Sequence, residues 1–107
     1  MNRSSGILLP VSALPGPCGI GDLGADARDF IDFLAAAGQR YWQILPLNPP
    51  DGAHSPYLSA STFAGSTDLL SPEPFVARGA LTADEVRAID WGEAPAAIPA
   101  ERWRAIP

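Results

Sequence analysis

The sequence predicts an α/β fold that opens with a strand–helix–strand unit, and three observations carry that expectation. Two short apolar runs, Gly6-Ile7-Leu8-Leu9 and Tyr41-Trp42-Gln43-Ile44-Leu45, each stop at a proline, Pro10 and Pro46. Proline cannot donate to a sheet ladder, so each run reads as a buried strand with a defined end. Between them, Ala27, Phe30, Ile31, Leu34 and Ala37 recur at three- and four-residue steps, the apolar stripe of a helix over residues 25–37. Gly38 follows the last periodic residue and reads as its C-terminal stop. Strand, helix and strand in that order predict a right-handed parallel crossover.

The remaining elements follow from local chemistry. Asp26 and Asp29 sit early in the helix, where negative charge suits the helix dipole. The segment from Val11 to Gly24 is dense in Pro and Gly, which predicts a loop without regular structure. Residues 46–67 show no period, and a loop of more than about 15 residues in a compact domain is usually functional or disordered. Tyr57 and Phe63 among its Ser, Gly and Pro favour an ordered functional loop. Leu69-Leu70 reads as a brief extended piece, and residues 72–77 as a short helix ended by Gly79. Thr82-Ala83-Asp84-Glu85 has the spacing of a capping box and opens a helix through Ile89. The expected organisation is one unit over residues 1–90 and a poorly ordered, Pro- and Ala-rich tail over 91–107.

Composition excludes several functions. The 107 residues are 47% apolar and 18% charged, which are globular values. The formal charge of -5, with scattered arginines as the basic residues, argues against nucleic acid and against a polybasic membrane contact. No run approaches the ~20 apolar residues that span a bilayer, and Ile7 to Leu9 is too brief for a secretory signal core. Cys18 is a single cysteine, so neither an internal disulfide nor a cysteine zinc site is expected, and the compartment reads as cytoplasmic.

Four features invite a chemical reading. Gly19-Ile20-Gly21-Asp22-Leu23-Gly24 fits G-x-G-x-x-G, but a Pro-rich loop separates it from the first strand and no acidic residue ends the second. The glycines are therefore read as serving the loop's own backbone. Asp22 reads as a helix cap or a brace of that loop. His54 lacks metal-ligand spacing around it and reads as a solvated loop residue; Cys18, with no basic neighbour to lower its pKa, reads as an inert thiol. Ser55-Pro56-Tyr57 is the stronger signal, because ligands meet the loops at the carboxyl ends of parallel strands. A tyrosine there offers a ring face to sugar C–H groups and a hydroxyl to their oxygens. The competing reading is a loop anchor with Tyr57 packed inward.

Taken together, Arg3 to Leu9, Ser12 to Pro17 and Gly19 to Gly24 resemble the N-terminus of the amylomaltases, the 4-alpha-glucanotransferases of glycoside hydrolase family 77. The resemblance continues through Phe30, Phe33-Leu34, Gly38-Gln39, Trp42-Gln43, Leu45-Pro46-Leu47, Ser55-Pro56-Tyr57, Phe63-Ala64-Gly65, Leu70-Ser71 and Gly79-Ala80-Leu81. It implies that the chain holds the first βαβ portion of a (β/α)8 TIM barrel, which is incomplete here because a whole barrel needs about 250 residues.

The resemblance further implies transfer of α-1,4-glucan segments between maltooligosaccharides by a retaining mechanism, with an aspartate nucleophile and a glutamate acid/base. Those carboxylates lie downstream of the matched region, so no catalytic residue is assigned in this chain. No cofactor and no metal are implied. By the motif match, Ser55 and Tyr57 are the substrate-binding residues, and the partners are maltooligosaccharides and other α-1,4-glucans. The chain departs from the family where Gly65-Ser66 replaces a frequent Gly-Asn pair, and where Gly52 stands at the tyrosine of a secondary glucan site. The expectation is an N-terminal fragment of such an enzyme, inactive alone; the alternatives are a non-catalytic carbohydrate-binding module or a nonfunctional remnant.

Overall fold

The computed structural model describes residues 2–51, 55 and 57–91. Strand β1, Gly6–Leu8, pairs in parallel with β2, Tyr41–Gln43, and helix α1, Ala25–Ala36, lies between them in the chain. The register sets Gly6 opposite Tyr41, Ile7 opposite Trp42 and Leu8 opposite Gln43. Both strands are shorter than the sequence suggests. One further rung, Leu9 N–H to the Gln43 carbonyl at 2.9 Å, extends the ladder before Pro10 ends it. The parallel crossover is as expected.

Helix α1 ends as its sequence dictates. Gly38 takes φ +73, the left-handed conformation that a side chain disfavours. This lets the Gln39 amide reach the Leu34 carbonyl at 2.9 Å and the Gly38 amide reach Ala35 at 3.1 Å. The paired bonds satisfy carbonyls that the last helical turn leaves open.

The core lies between α1 and one face of the sheet. Leu14, Ala27, Phe30 and Leu34 are buried, with Leu9, Phe33 and Trp42 packed against them. Phe30 meets Trp42 edge-on, ring centroids 5.1 Å apart. The stripe is narrower than its sequence pattern, because Ile31 is 52% exposed and Ala37 is also exposed. Both sit on flanks of the helix face, and the described sheet has only two strands to cover it. Side chains alternate along a strand, so Leu8 and Tyr41 point away from α1; they are 57% and 64% exposed.

Two connecting segments correct the sequence reading. The Pro/Gly-rich loop after β1 contains a 3-10 turn at Val11–Ala13, which seats Val11 and Leu14 in the interior. Pro10 and Pro15 frame it, and three of the four residues between them form one tight turn. Leu69 ends a second 3-10 turn, Thr67–Leu69, rather than lying extended; the Ser66 hydroxyl accepts from the Asp68 amide and starts that turn. Only Leu70 is extended. Helix α2, Glu73–Ala77, ends at Gly79 with φ +74. Helix α3, Ala83–Arg87, has the capping box in full, Thr82 accepting from the Glu85 amide and Glu85 from the Thr82 amide. It ends two residues before Ile89. The expected tail, from residue 92 onward, lies outside the described residues.

Candidate functional site

Parallel strands send their following loops out at one end. There the segment after β1 and the segment after β2 enclose a cavity of about 340 Å³. Pro10, Val11, Ser12 and Ile20 form one wall, Leu45 to Asn48 and Pro50 another, and Ser66, Asp68 and Leu69 close it. The surface is mainly apolar, with Ser12, Asn48, Ser66 and Asp68 as its polar points.

The loop over residues 46–67 forms, in its described residues, two limbs that bond to each other. Its base is tied by the Ser66 amide to the Leu47 carbonyl at 2.7 Å, and its middle by the Asp51 amide to Leu58 at 2.9 Å. The Ser59 hydroxyl donates to the Pro49 carbonyl at 2.6 Å, beside a bridge between Pro50 and Ser59. The Asn48 carboxamide crosses the loop and donates to the carbonyls of Ser61, Thr62 and Ala64 at 3.2, 2.7 and 3.1 Å.

Ser55 and Tyr57 come together at the outer part of this loop. The Ser55 hydroxyl accepts from the Tyr57 amide at 3.3 Å, and the Ser55 carbonyl from the Leu58 amide at 3.2 Å. Tyr57 is 72% exposed, so its ring is not packed inward as a loop anchor would be. Phe63 exposes a second ring. Neither Ser55 nor Tyr57 is among the described residues that line the cavity. His54 and Gly52 lie outside the described residues. Asn48 is the residue that sequence reasoning missed: its acceptors lie 13 to 16 positions away, and the one local signal is that Pro49-Pro50 follow it without N–H groups.

The glycine-rich motif serves the chain itself. A side chain on Gly21 would run into the carbonyls of Val11 and Leu14, and a Cβ on Gly24 would lie 2.6 Å from both Asp22 Oδ1 and Ser71 Oγ. These glycines are therefore required by the close packing of the chain against itself. Asp22 resolves as a brace: it is buried, and Oδ1 accepts from the Gly24 amide at 2.9 Å. Oδ2 is buried without a hydrogen-bond partner. Burial pushes this carboxyl above the usual aspartate range, the Gly24 bond opposes the shift, and the charges of Asp26 and Glu73 add to it. Burial, then the charge of Asp22, likewise pushes the Cys18 thiol up, away from the reactive thiolate.

Among the described residues, no group of three or more His, Cys, Asp or Glu side chains is arranged to hold a metal ion. No helix among them is long and apolar enough to cross a membrane.

Comparison with known proteins decides the family. The family model for 4-alpha-glucanotransferase, glycoside hydrolase family 77, matches residues 9–98. The chain belongs to the 4-alpha-glucanotransferase family. It is 47% identical over 90 residues to a 4-alpha-glucanotransferase of Streptococcus pneumoniae, covering 84% of this chain and 18% of that one. Against the 4-alpha-glucanotransferase of Thermus thermophilus it is 52% identical over 77 residues, 72% of this chain and 15% of that one. An amylomaltase from Streptococcus agalactiae, solved in complex with acarbose, superimposes with a TM-score of 0.84 at 39% identity. That match covers 88% of this chain and 19% of the solved one. The chain thus spans less than a fifth of the length of these relatives.

Within this 4-alpha-glucanotransferase segment, Ser66 stands at the base of the loop. It fills a structural role here, through its hydroxyl on the Asp68 amide at 3.3 Å and its own amide on Leu47.

Proposed function

We propose that the chain supplies the first βαβ portion of a (β/α)8 barrel whose whole transfers α-1,4-glucan segments between maltooligosaccharides, and that Ser55 and Tyr57 contact the glucan. The observation that carries this reading is the placement of an exposed tyrosine on a braced loop that follows the carboxyl end of a parallel strand. Barrel enzymes bind their substrates on that side. The uncovered face of β1 and β2, with Leu8 and Tyr41 exposed opposite α1, supports the barrel reading. In such a barrel the helix lies outside and that face looks inward onto neighbouring strands.

The nucleophile and acid/base of the retaining mechanism belong to sequence downstream of the matched region. A retaining glycosidase mechanism needs two carboxyl groups about 5–5.5 Å apart across the bond that breaks. The role assigned to this chain is therefore to hold glucan.

Calorimetric titration of the chain with maltotetraose, with the β-linked cellotetraose as control, tests it. Binding of the α-linked sugar alone is the expected result. Equal heats with both, or none with either, overturn the assignment of the loop to glucan. Incubation with maltotriose is expected to release no glucose above a buffer blank, and disproportionation by the pure chain would overturn the division of roles.

A further inference from the structure

We infer that Asn48 is a positioning residue that holds the loop over residues 46–67 in the shape that presents Tyr57 to glucan. This rests on the reading of Ser55 and Tyr57 as glucan contacts. The physical case begins with the two prolines that follow it. Pro49 and Pro50 have no N–H, so the outgoing limb offers no backbone donor between Asn48 and Asp51, whose amide meets the Leu58 carbonyl at 2.9 Å. The carbonyls of Ser61, Thr62 and Ala64 are met by one side-chain nitrogen instead, at 3.2, 2.7 and 3.1 Å. A carboxamide nitrogen has two hydrogens, so three carbonyls share them. Asn48 thus adds side-chain donors beside the short backbone bridge at Pro50 and Ser59.

The position of this contact matters for what lies beyond it. Leu47 and Ser66 close the base of the loop. The single Ser59 Oγ–H lies between the Pro49 carbonyl at 2.6 Å and the Ser61 carbonyl at 2.9 Å, so the middle of the loop hangs on the same two limbs. Tyr57 and Ser55 lie beyond that middle rung and are joined to it through Leu58, whose amide and carbonyl bond Ser55 and Asp51. Asn48 also lines the cavity at the strand ends. One side chain therefore ties the outgoing limb, near the strand ends, to the return limb beneath the rung from which Ser55 and Tyr57 hang.

The decisive substitution is Asn48→Asp, which keeps the shape and replaces the donors with acceptors that repel the three carbonyls. Two measurements are made on the chain. Hydrogen exchange of the Leu58, Ala64 and Ser66 amides is expected to quicken about tenfold, the change that loss of one such contact gives. Affinity for maltotetraose, followed by amide chemical shifts, is expected to weaken about fivefold or more. The Trp42 indole N–H, bonded to the Leu9 carbonyl, reports that the βαβ unit is intact. Asn48→Gln keeps a carboxamide on a longer arm and is expected to recover part of both effects. Should Asn48→Asp lose the Trp42 signal, Asn48→Ser, with a single donor, carries the same comparison.

Unchanged exchange in a folded variant overturns the clamp, whatever the sugar does. Faster exchange with unchanged affinity overturns the positioning role. Affinity lost in Tyr57→Ala but kept in Asn48→Asp also overturns it while leaving the glucan reading standing. A wild-type chain that does not respond to maltotetraose overturns the glucan reading and this role together.

Discussion

The indole N–H of Trp42 donates to the carbonyl of Leu9 at 2.8 Å, joining the two strands of the sheet through a side chain. Leu9 is the last residue before Pro10, and its carbonyl lies where the ladder between β1 and β2 runs out. The same indole packs edge-on against Phe30 of α1. Trp42 therefore ties together both strands and the helix. Trp42→Phe keeps an aromatic ring for Phe30 and removes the donor, leaving a partly buried carbonyl unpaired. The expected cost is about 1–3 kcal/mol, read as a lower urea midpoint with an unchanged slope. An unchanged midpoint would show that the strand ends are held by the backbone alone.

Phe30 and Ile31 are neighbours in sequence with different fates. Phe30 is 8% exposed and Ile31 52%. Phe30→Ala is expected to cost about 3–5 kcal/mol, as deletion of a buried ring does. Ile31→Ala is expected to stay near 0.5 kcal/mol, the range of surface changes. Equal losses at the two positions, measured by denaturant unfolding, would mean that Ile31 is covered in solution.

This contrast also marks how far the sequence can be read. The strands, α1 and the capping box of α3 are legible because each rests on a local signal: a proline stop, a stripe of three- and four-residue steps, Thr82 three residues before Glu85. The width of the helix stripe is not legible, because it depends on how many strands lie against α1. The turn at Val11–Ala13 hides between prolines that look like loop punctuation. Ser55 and Tyr57 are singled out by motif, and the structure bonds the one to the other on the loop. The clamp at Asn48 is not legible, since its three acceptors are carbonyls, which every residue type carries. The unpartnered oxygen of Asp22 is a tertiary fact of the same kind.

That oxygen gives a pH prediction with a definite sign. Asp22 is held above its ordinary range by burial, so the folded chain keeps this proton more tightly than the unfolded chain. Its contribution to stability is full below the unfolded pKa and is lost as pH rises through the raised folded pKa. Glu85 runs the other way. Bonds from the Thr82 amide and hydroxyl lower it, so its contribution falls as pH drops. Asp22→Asn isolates the first effect, because Asn retains an acceptor for the Gly24 amide and carries no charge. The melting temperature of Asp22→Asn minus that of wild type is expected to rise with pH across the acid range and then level. A difference that stays flat would show that Asp22 titrates alike in both states.

The last prediction concerns Tyr57, whose ring is exposed on the loop and whose backbone is bonded to Ser55. Tyr57→Ala removes the ring and the hydroxyl, whereas Tyr57→Phe keeps the ring. A ring face against a sugar is an apolar contact with a specific geometry; aromatic contacts of this kind add about 0.5–1.5 kcal/mol beyond area burial. That corresponds to a loss of up to about tenfold in affinity. Titration with maltotetraose is therefore expected to show Tyr57→Ala binding several times more weakly than wild type, with Tyr57→Phe between them. The exposed position makes a second demand. Neither substitution removes a core contact, so the melting temperature and far-UV circular dichroism should hold nearly constant. Wild-type affinity in both variants would remove Tyr57 from the glucan contacts. An affinity loss in Tyr57→Ala that tracks a lower melting temperature would return the residue to the role of loop anchor, which its exposure argues against.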